Sequence, residues 1–298
     1  MNDNLYETLF IDEDDNEDIG MQTINELYDH ANFDEISKYY DVGSYNKVFP
    51  SANCDVLSII HLNIRNYSSN INEFEALLST LNHSPDIIAL SETWLNATTR
   101  LNTHLAGYTC YHVIRNTPHG GVSILIKDSI DSELIEDFSY VNHEMELCTV
   151  TLKINSTIYN VVLVYRPHFK NDRIQEFINA FYPILNSNKL KTANNILIGD
   201  FNINLLVHDQ HPDTNDFLCM MQNCRYLPLI SRPTRFPEGR QNGVPSLLDH
   251  IYVNFAPPST TGIIHYQITD HLPIFLNFVI PKIHQETYNI KFRIFKDF

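Results

Sequence analysis

From residue 56 onward the apolar positions of the chain alternate between two rhythms. "VLSIIHLNI" (56–64) is a run of β-branched and other apolar residues, the pattern of a buried strand. "SSNINEFEALLSTLN" (68–82) then spaces Ile71, Phe74, Leu77, Leu78 and Leu81 along one helical stripe, and Asn70 and Glu73 stand at capping-box separation. "DIIALS" (86–91) is a second short buried strand, so the opening is βαβ-like. Strands are predicted next at "YTCYHVI" (108–114), "GVSILIKD" (121–128), "MELCTVTLKI" (145–154) and "IYNVVLVYRP" (158–167). "DRIQEFINAFYPILNS" (172–187) returns to helical spacing through Ile174, Phe177, Ile178, Phe181 and Leu185, with Pro183 as a kink or early stop. "NNILIGDFN" (194–202) predicts another strand and "TNDFLCMMQNC" (214–224) a third helix. A Pro, Arg and Gly-rich loop spans 231–245. Final strands follow at "LLDHIYVN" (247–254), "GIIHYQIT" (262–269) and "LPIFLNFVI" (272–280). Many strands with few helices predict a layered α/β sandwich.

Charge changes the picture at one end. Residues 1–50 hold 13 Asp or Glu against Lys38 and Lys47, a net of −11, which leaves −5 of the total −16 for the remainder. A segment such as "IDEDDNEDIG" repels itself and buries little apolar surface, so residues 1–52 read as an acidic, disordered tail with one short helix at "INELYDHANF". Residues 53–281 form the expected folded domain and 282–298 a C-terminal extension. Net acidity opposes tight, metal-free binding to nucleic acid, whereas a divalent cation would relax the objection. Cys54, Cys110, Cys148, Cys219 and Cys224 are odd in number and form no CxxC pair, so they read as reduced thiols. No apolar run is long enough to span a membrane and the N-terminus carries no signal pattern. The chain therefore reads as soluble and intracellular, nuclear or cytoplasmic.

Polar residues collect where the buried strands end. Asn63 closes the first strand, Glu92 the second, Tyr165 and Arg166 the long middle one, and Asp200 with Asn202 follows "ILIG". Asp249 and His250 open one late strand, and Asp270 and His271 stand in front of another. Each alone also fits a structural role: Glu92 a solvated terminus, Asp200 and Asn202 an Asx-turn, Asp270 and His271 a turn cap. Together they point to a site assembled at strand ends. If the extended backbone persists, Asp200 and Asn202 face the same way.

The segments "HLNIRN", "LSETWL", "GGVSILIK", "VYRP", "GDFNIN", "SLLDHIYVN" and "TDHLPI" resemble, in order over about residues 54–280, the endonuclease/exonuclease/phosphatase superfamily with its DNase-I-like fold. More narrowly they resemble the apurinic-type endonuclease domain of non-LTR retrotransposons. The resemblance implies a four-layer α/β/β/α sandwich of two mostly antiparallel mixed sheets. It implies Glu92 as the principal ligand of Mg²⁺ or Mn²⁺ with Asn63 beside it, and Asp270 as a further metal or phosphate-site carboxylate. Asp200 would orient or deprotonate the attacking water and Asn202 hold it. His271 would contact the scissile phosphate, Asp249 fix the imidazole, and Tyr165 lie against the phosphate or leaving group. Arg166, Thr234 and Arg235 are expected to reach substrate, and Arg232 and Arg240 share the arginine-rich loop. One position departs from the cellular relatives: Arg65 stands where they carry an acidic residue, which favours the retroelement branch.

The implied activity is nicking of one DNA strand to leave 3′-OH and 5′-phosphate ends, priming reverse transcription. The expected partners are DNA, no membrane, and a reverse transcriptase domain or element RNA in a parent polyprotein; no YADD-like polymerase motif occurs. Two other readings stand beside it: a phosphatase or phosphodiesterase for small-molecule or lipid head-group phosphates, and a non-catalytic binding module.

Overall fold

The computed structural model describes residues 37–48, 56–115, 117–168, 173–237, 243–255 and 259–280. The acidic segment 1–36, the extension 282–298, Cys54 and Arg240 lie outside the described residues.

Strand β2 (Val56–Asn63) is buried from Leu57 to its end, as its run of apolar residues predicts. Its side chains alternate between two cores: Leu57 and Ile59 face one, Ile60 and Leu62 the other. Helix α2 (Tyr67–Thr80) lays Phe74 and Leu77 on the second of these, and β3 (Ile87–Ser91) returns parallel to β2 with Asn63 opposite Ser91. The expected capping box is not formed. The N-cap is Asn66, and the Asn70 amide instead donates to the Ile64 and Arg65 carbonyls at 2.8 and 3.0 Å, tying down the left-handed turn at Arg65 and Asn66.

The remaining described strands are β1 (Lys38–Tyr40), β4 (Tyr108–Val113), β5 (Val122–Lys127), β6 (Asp131–Leu134), β7 (Tyr140–Val141), β8 (Glu146–Ile154) and β9 (Thr157–Tyr165). They continue with β10 (Asn194–Asp200), β11 (Leu227–Pro228), β12 (Asp249–Val253), β13 (Ser259–Ile264) and β14 (Ile274–Val279). One sheet runs β1-β13-β14-β2-β3-β5-β4, the other β11-β12-β10-β9-β8-β6, with β7 on β8. Only β1–β13, β2–β3 and β9–β10 pair in parallel among the described strands, so both sheets are mixed and mostly antiparallel. Facing residues of the two sheets, among them Ile59, Ala89, Ile124, Val150, Leu163 and Ile198, fill the central core. Helices α3 (Ile174–Leu185) and α4 (Pro212–Asn223) pack on the second sheet through Phe177, Phe181 and Phe217, which meet Phe201 and Tyr252. Pro183 falls in the last turn of α3, and the helix runs on to Leu185. This is the four-layer α/β/β/α arrangement of the DNase-I-like fold. No helix among the described residues is long and apolar enough to cross a membrane, and Cys110, Cys148, Cys219 and Cys224 are free thiols.

Two expectations need correcting. Residues 37–48, assigned to the tail by their polarity, belong to the fold. Strand β1 pairs along β13 and the short helix α1 (Val42–Tyr45) follows, with the Tyr40 and Tyr45 rings edge-on to Phe275 at 5.2 and 4.8 Å. Two aromatic contacts on the buried Phe275 ring outweigh the acidic composition of the neighbourhood. The strand expected over 262–269 lies earlier, at Ser259–Ile264, and its ladder with β1 closes where the His265 backbone N–H donates to the Tyr40 carbonyl.

One glycine is required where the site is built. Gly199 has φ +149, and a Cβ there would overlap the Val164 carbonyl on β9. Gly199→Ala is expected to cost at least about 3 kcal/mol in denaturant unfolding, by overpacking between paired strands. An unchanged midpoint would contradict this close approach of β9 and β10.

Candidate active site

Sheet register brings the polar strand ends together. On the second sheet Tyr165 lies opposite Asp200, and Asp200 opposite Asp249. On the first, Asn63 pairs with Ser91, so Glu92 emerges immediately beyond, with a left-handed backbone at φ +50. Asn63 then bridges the sheets: its amide donates to Glu92 Oε1 at 3.0 Å and to Asp200 Oδ2 at 2.8 Å. A carboxamide can serve two carboxylates in this way only by spending both N–H groups. Its Oδ1 is left buried without a partner.

The extended backbone does not continue past Asp200. Asn202 takes φ +48 and its backbone N–H donates to Asp200 Oδ1 at 3.0 Å, an Asx-turn that coexists with the site. Its side chain donates to the Arg166 carbonyl at 2.7 Å, and Arg166 Nη1 donates to the Asn202 carbonyl at 3.0 Å. Arg166 is thus buried, at 1% exposure, and braces this loop instead of facing substrate. Thr234 is likewise interior: its hydroxyl donates to Asp249 Oδ2 at 2.6 Å and accepts the Leu248 and Asp249 N–H groups. Both residues looked exposed because they flank loops; both are consumed in holding catalytic candidates.

Asp249 Oδ2 also meets His271 Nδ1 at 2.7 Å. Burial opposes the imidazolium, but the carboxylates of Asp249, Asp200 and Asp270 outweigh it and lift the His271 pKa to about 9. Burial likewise opposes the Asp249 carboxylate, yet His271, His61 and Thr234 hold its pKa below the usual range. Asp200 is raised to about 7, first by burial and then by Asp249 and Glu92. Near neutrality the cluster therefore holds a His271 imidazolium, an Asp249 carboxylate and a carboxyl poised to gain or lose a proton. Tyr165 is kept firmly protonated by burial and by the charges of Glu92, Asp200 and Glu146, and it hydrogen-bonds Glu92.

Asp270, expected as a metal or phosphate-site carboxylate, is clamped between Arg65 Nη1 and Arg235 Nε, each at 2.9 Å. Two guanidinium partners already neutralise it. Sequence reasoning passed over three further residues. His61 sits behind Asp249, Nδ1 to Oδ1 at 3.8 Å, with Nε2 3.2 Å from Ser91 Oγ; burial lowers its pKa to about 4, so it is neutral. Glu146, fully buried opposite Tyr165, binds the Gly121 N–H and Arg115. Trp94 donates its indole N–H to Glu92 Oε2 at 3.3 Å. As the chain's single tryptophan, inside "LSETWL", it carried a readable signal; Glu146 carried none beyond strand alternation.

A hard divalent cation fits this donor set. Asp200, Asp249 and His271 have ligand atoms within 4.8 Å of one another, but a protonated imidazole offers no lone pair. The oxygens suited to such an ion are the partly exposed Glu92 carboxylate and the orphaned Asn63 Oδ1, whose burial without a donor costs free energy unless a cation or proton meets it.

Solved structures share the fold at low identity. An AP endonuclease, LMAP, from Leishmania major aligns with TM-score 0.61 at 16% identity, over 78% of this chain and 92% of that one. An AP endonuclease from Archaeoglobus fulgidus aligns with TM-score 0.56 at 15% identity, over 74% and 99%. The endonuclease domain of TRAS1, a telomere-specific non-LTR retrotransposon, aligns with TM-score 0.58 at 12% identity, over 75% and 98%. No curated protein is significantly similar in sequence. Residues 60–271, more than two thirds of the chain, match the model of one family, and they include both ends of the Asn63 bridge and the His271–Asp249 pair. The chain belongs to the Endonuclease/Exonuclease/phosphatase family.

Proposed function

We propose that the chain is a Mg²⁺- or Mn²⁺-dependent DNA endonuclease that nicks one strand and leaves 3′-OH and 5′-phosphate ends. The observation that carries this reading is the Asn63 bridge, which sets a carboxylate suited to a cation, Glu92, beside a carboxyl poised for proton transfer, Asp200. Asp200 accepts the proton of the attacking water, whose oxygen forms the new bond to phosphorus as the bond to the 3′-oxygen breaks. Asn202 fixes the Asp200 carboxylate through its backbone N–H. The His271 imidazolium, oriented by Asp249 and Thr234, stabilises the charge that grows on the phosphoryl oxygens. Tyr165 supplies a neutral hydroxyl beside Glu92. Glu92 and Asn63 would hold such a cation, which when bound would supply Lewis-acid neutralisation of the phosphate and of the leaving 3′-oxygen. Arg65 and Arg235 place positive charge at the rim of a domain that is acidic overall. The retroelement-like motifs favour a role in priming reverse transcription, with a reverse transcriptase domain or element RNA as partner.

Supercoiled plasmid separates this reading from its rival. With Mg²⁺ or Mn²⁺ the expected product is open-circular DNA with religatable ends, abolished by chelation. Absence of nicking together with phosphate release from inositol phosphates or nucleotides would assign the site to small-molecule substrates.

A further inference from the structure

Beside the Glu92 carboxylate two aromatic rings meet on strained backbone. Trp94 has φ +54 and packs edge-on against the exposed ring of His119, with centroids 4.3 Å apart at 80°. His119, Gly120 and Gly121 follow one another at φ +73, +80 and +86. The two glycines adopt this conformation freely, but Trp94 and His119 hold it only where their surroundings over-determine it, and such strain gathers at functional sites. Here the surroundings are visible. Trp94 N–H donates to the Gly120 carbonyl at 2.8 Å and Thr93 N–H to the Gly121 carbonyl at 3.1 Å. Buried Glu146 takes the Gly121 N–H and is itself paired with Arg115 at 3.1 Å. A Cβ on Gly120 would overlap the Glu146 carboxylate, so the loop can approach only as glycine. The hydrophobic core needs none of this, since neither ring belongs to it.

We propose that Trp94 and His119 form a nucleobase-stacking subsite that seats an unpaired base of the DNA next to the scissile phosphate. This rests on the nuclease reading above. An edge-on pair covers a face of only one of its rings, whereas a stacked pair would cover a face of both, so the geometry leaves aromatic surface for a third ring. The Trp94 indole N–H on Glu92 fixes that surface to the cation-binding side of the site. Stacking reads a π-face and not a sequence, which suits contact with a strand opened at the cut. It also adds affinity that does not depend on phosphate neutralisation, which this acidic chain supplies poorly.

Trp94 is the only tryptophan of the chain, so its emission reports on the subsite without labelling. The full chain in EDTA would be titrated with short oligothymidylate and with an oligomer of equal length carrying tetrahydrofuran in place of every base. Quenching by oligothymidylate alone is expected, and His119→Ala should weaken that affinity about 10-fold while leaving binding of the base-free oligomer, followed by anisotropy of an end label, unchanged. Equal quenching by both oligomers, quenching by neither, or an equal effect of His119→Ala on both would overturn the proposal. Plasmid nicking by the same protein, with Mg²⁺ restored in place of EDTA, separates the two readings. Nicking with base-independent quenching refutes the subsite alone, and base-dependent quenching without nicking keeps the subsite while refuting the nuclease assignment.

Discussion

Asp200→Asn is expected to lower plasmid nicking about 10³-fold or more, within the range that general-base contributions and lost electrostatic stabilisation together span. The substitution keeps the shape of the side chain and removes its capacity to take a proton. It also sets an amide against the Asn63 Nδ2 that now donates to Asp200 Oδ2, so one contact of the bridge between sheets is lost. Stability should not fall with activity. The Asp200 carboxyl titrates at about 7 in the fold and near 3.8 when unfolded, because burial, Asp249 and Glu92 disfavour its charge. The sign follows: the charged form is a burden on the folded state that grows as pH rises from 3.8 and is complete above about 7. A neutral asparagine removes that burden, so the denaturation midpoint at pH 8 should equal or exceed that of the wild type. Nicking within a few-fold of wild type would remove Asp200 from the mechanism. A collapse of stability would mean that the carboxylate is structural.

The strand ends that carry these residues were legible for a simple reason. A run such as "ILIGD" or "IIHLN" must be buried, and a polar side chain at its end must either reach water or find partners, so Asn63, Asp200 and Asp249 announce themselves. Direction was less legible than position. Periodicity placed Asp200 and Asn202 on one face, but a left-handed turn at Asn202 makes its backbone N–H, not its side chain, the nearer partner of Asp200 Oδ1. Arg166 and Thr234 read as loop residues and are interior, because their partners, the Asn202 carbonyl and Asp249, come from segments 36 and 15 residues away. The strand Lys38–Tyr40 was hidden for the converse reason. Three residues have no periodicity of their own, and the edge they complete lies at Gly262–Ile264. Arg65 stood out only by its charge, and it took the fold to show that it shares the Asp270 carboxylate with Arg235.

The second large effect concerns the buried pair His271 and Asp249. Asp249→Asn leaves His271 without the counter-charge 2.7 Å away that offsets its burial, so its pKa should fall from about 9 and the ring should be neutral near pH 7. Nicking should drop by about 10²-fold to 10⁴-fold, the scale of losing an oriented cationic donor at a phosphoryl oxygen. His271→Asn should match that loss and also cost about 3–5 kcal/mol, because it strands the Asp249 carboxylate in the interior. The raised His271 pKa adds a pH signature with a definite sign. The pair's stabilisation is complete below the unfolded value of 6.5 and is lost as pH climbs through about 9, so the penalty of His271→Asn should shrink across that window. The double substitution decides whether the two residues act as one unit. Coupling through a shared proton predicts that Asp249→Asn with His271→Asn is no slower than either single variant and recovers stability relative to His271→Asn alone. Multiplying losses, with no recovery of stability, would show that Asp249 acts through Thr234 and His61 and that His271 works without it.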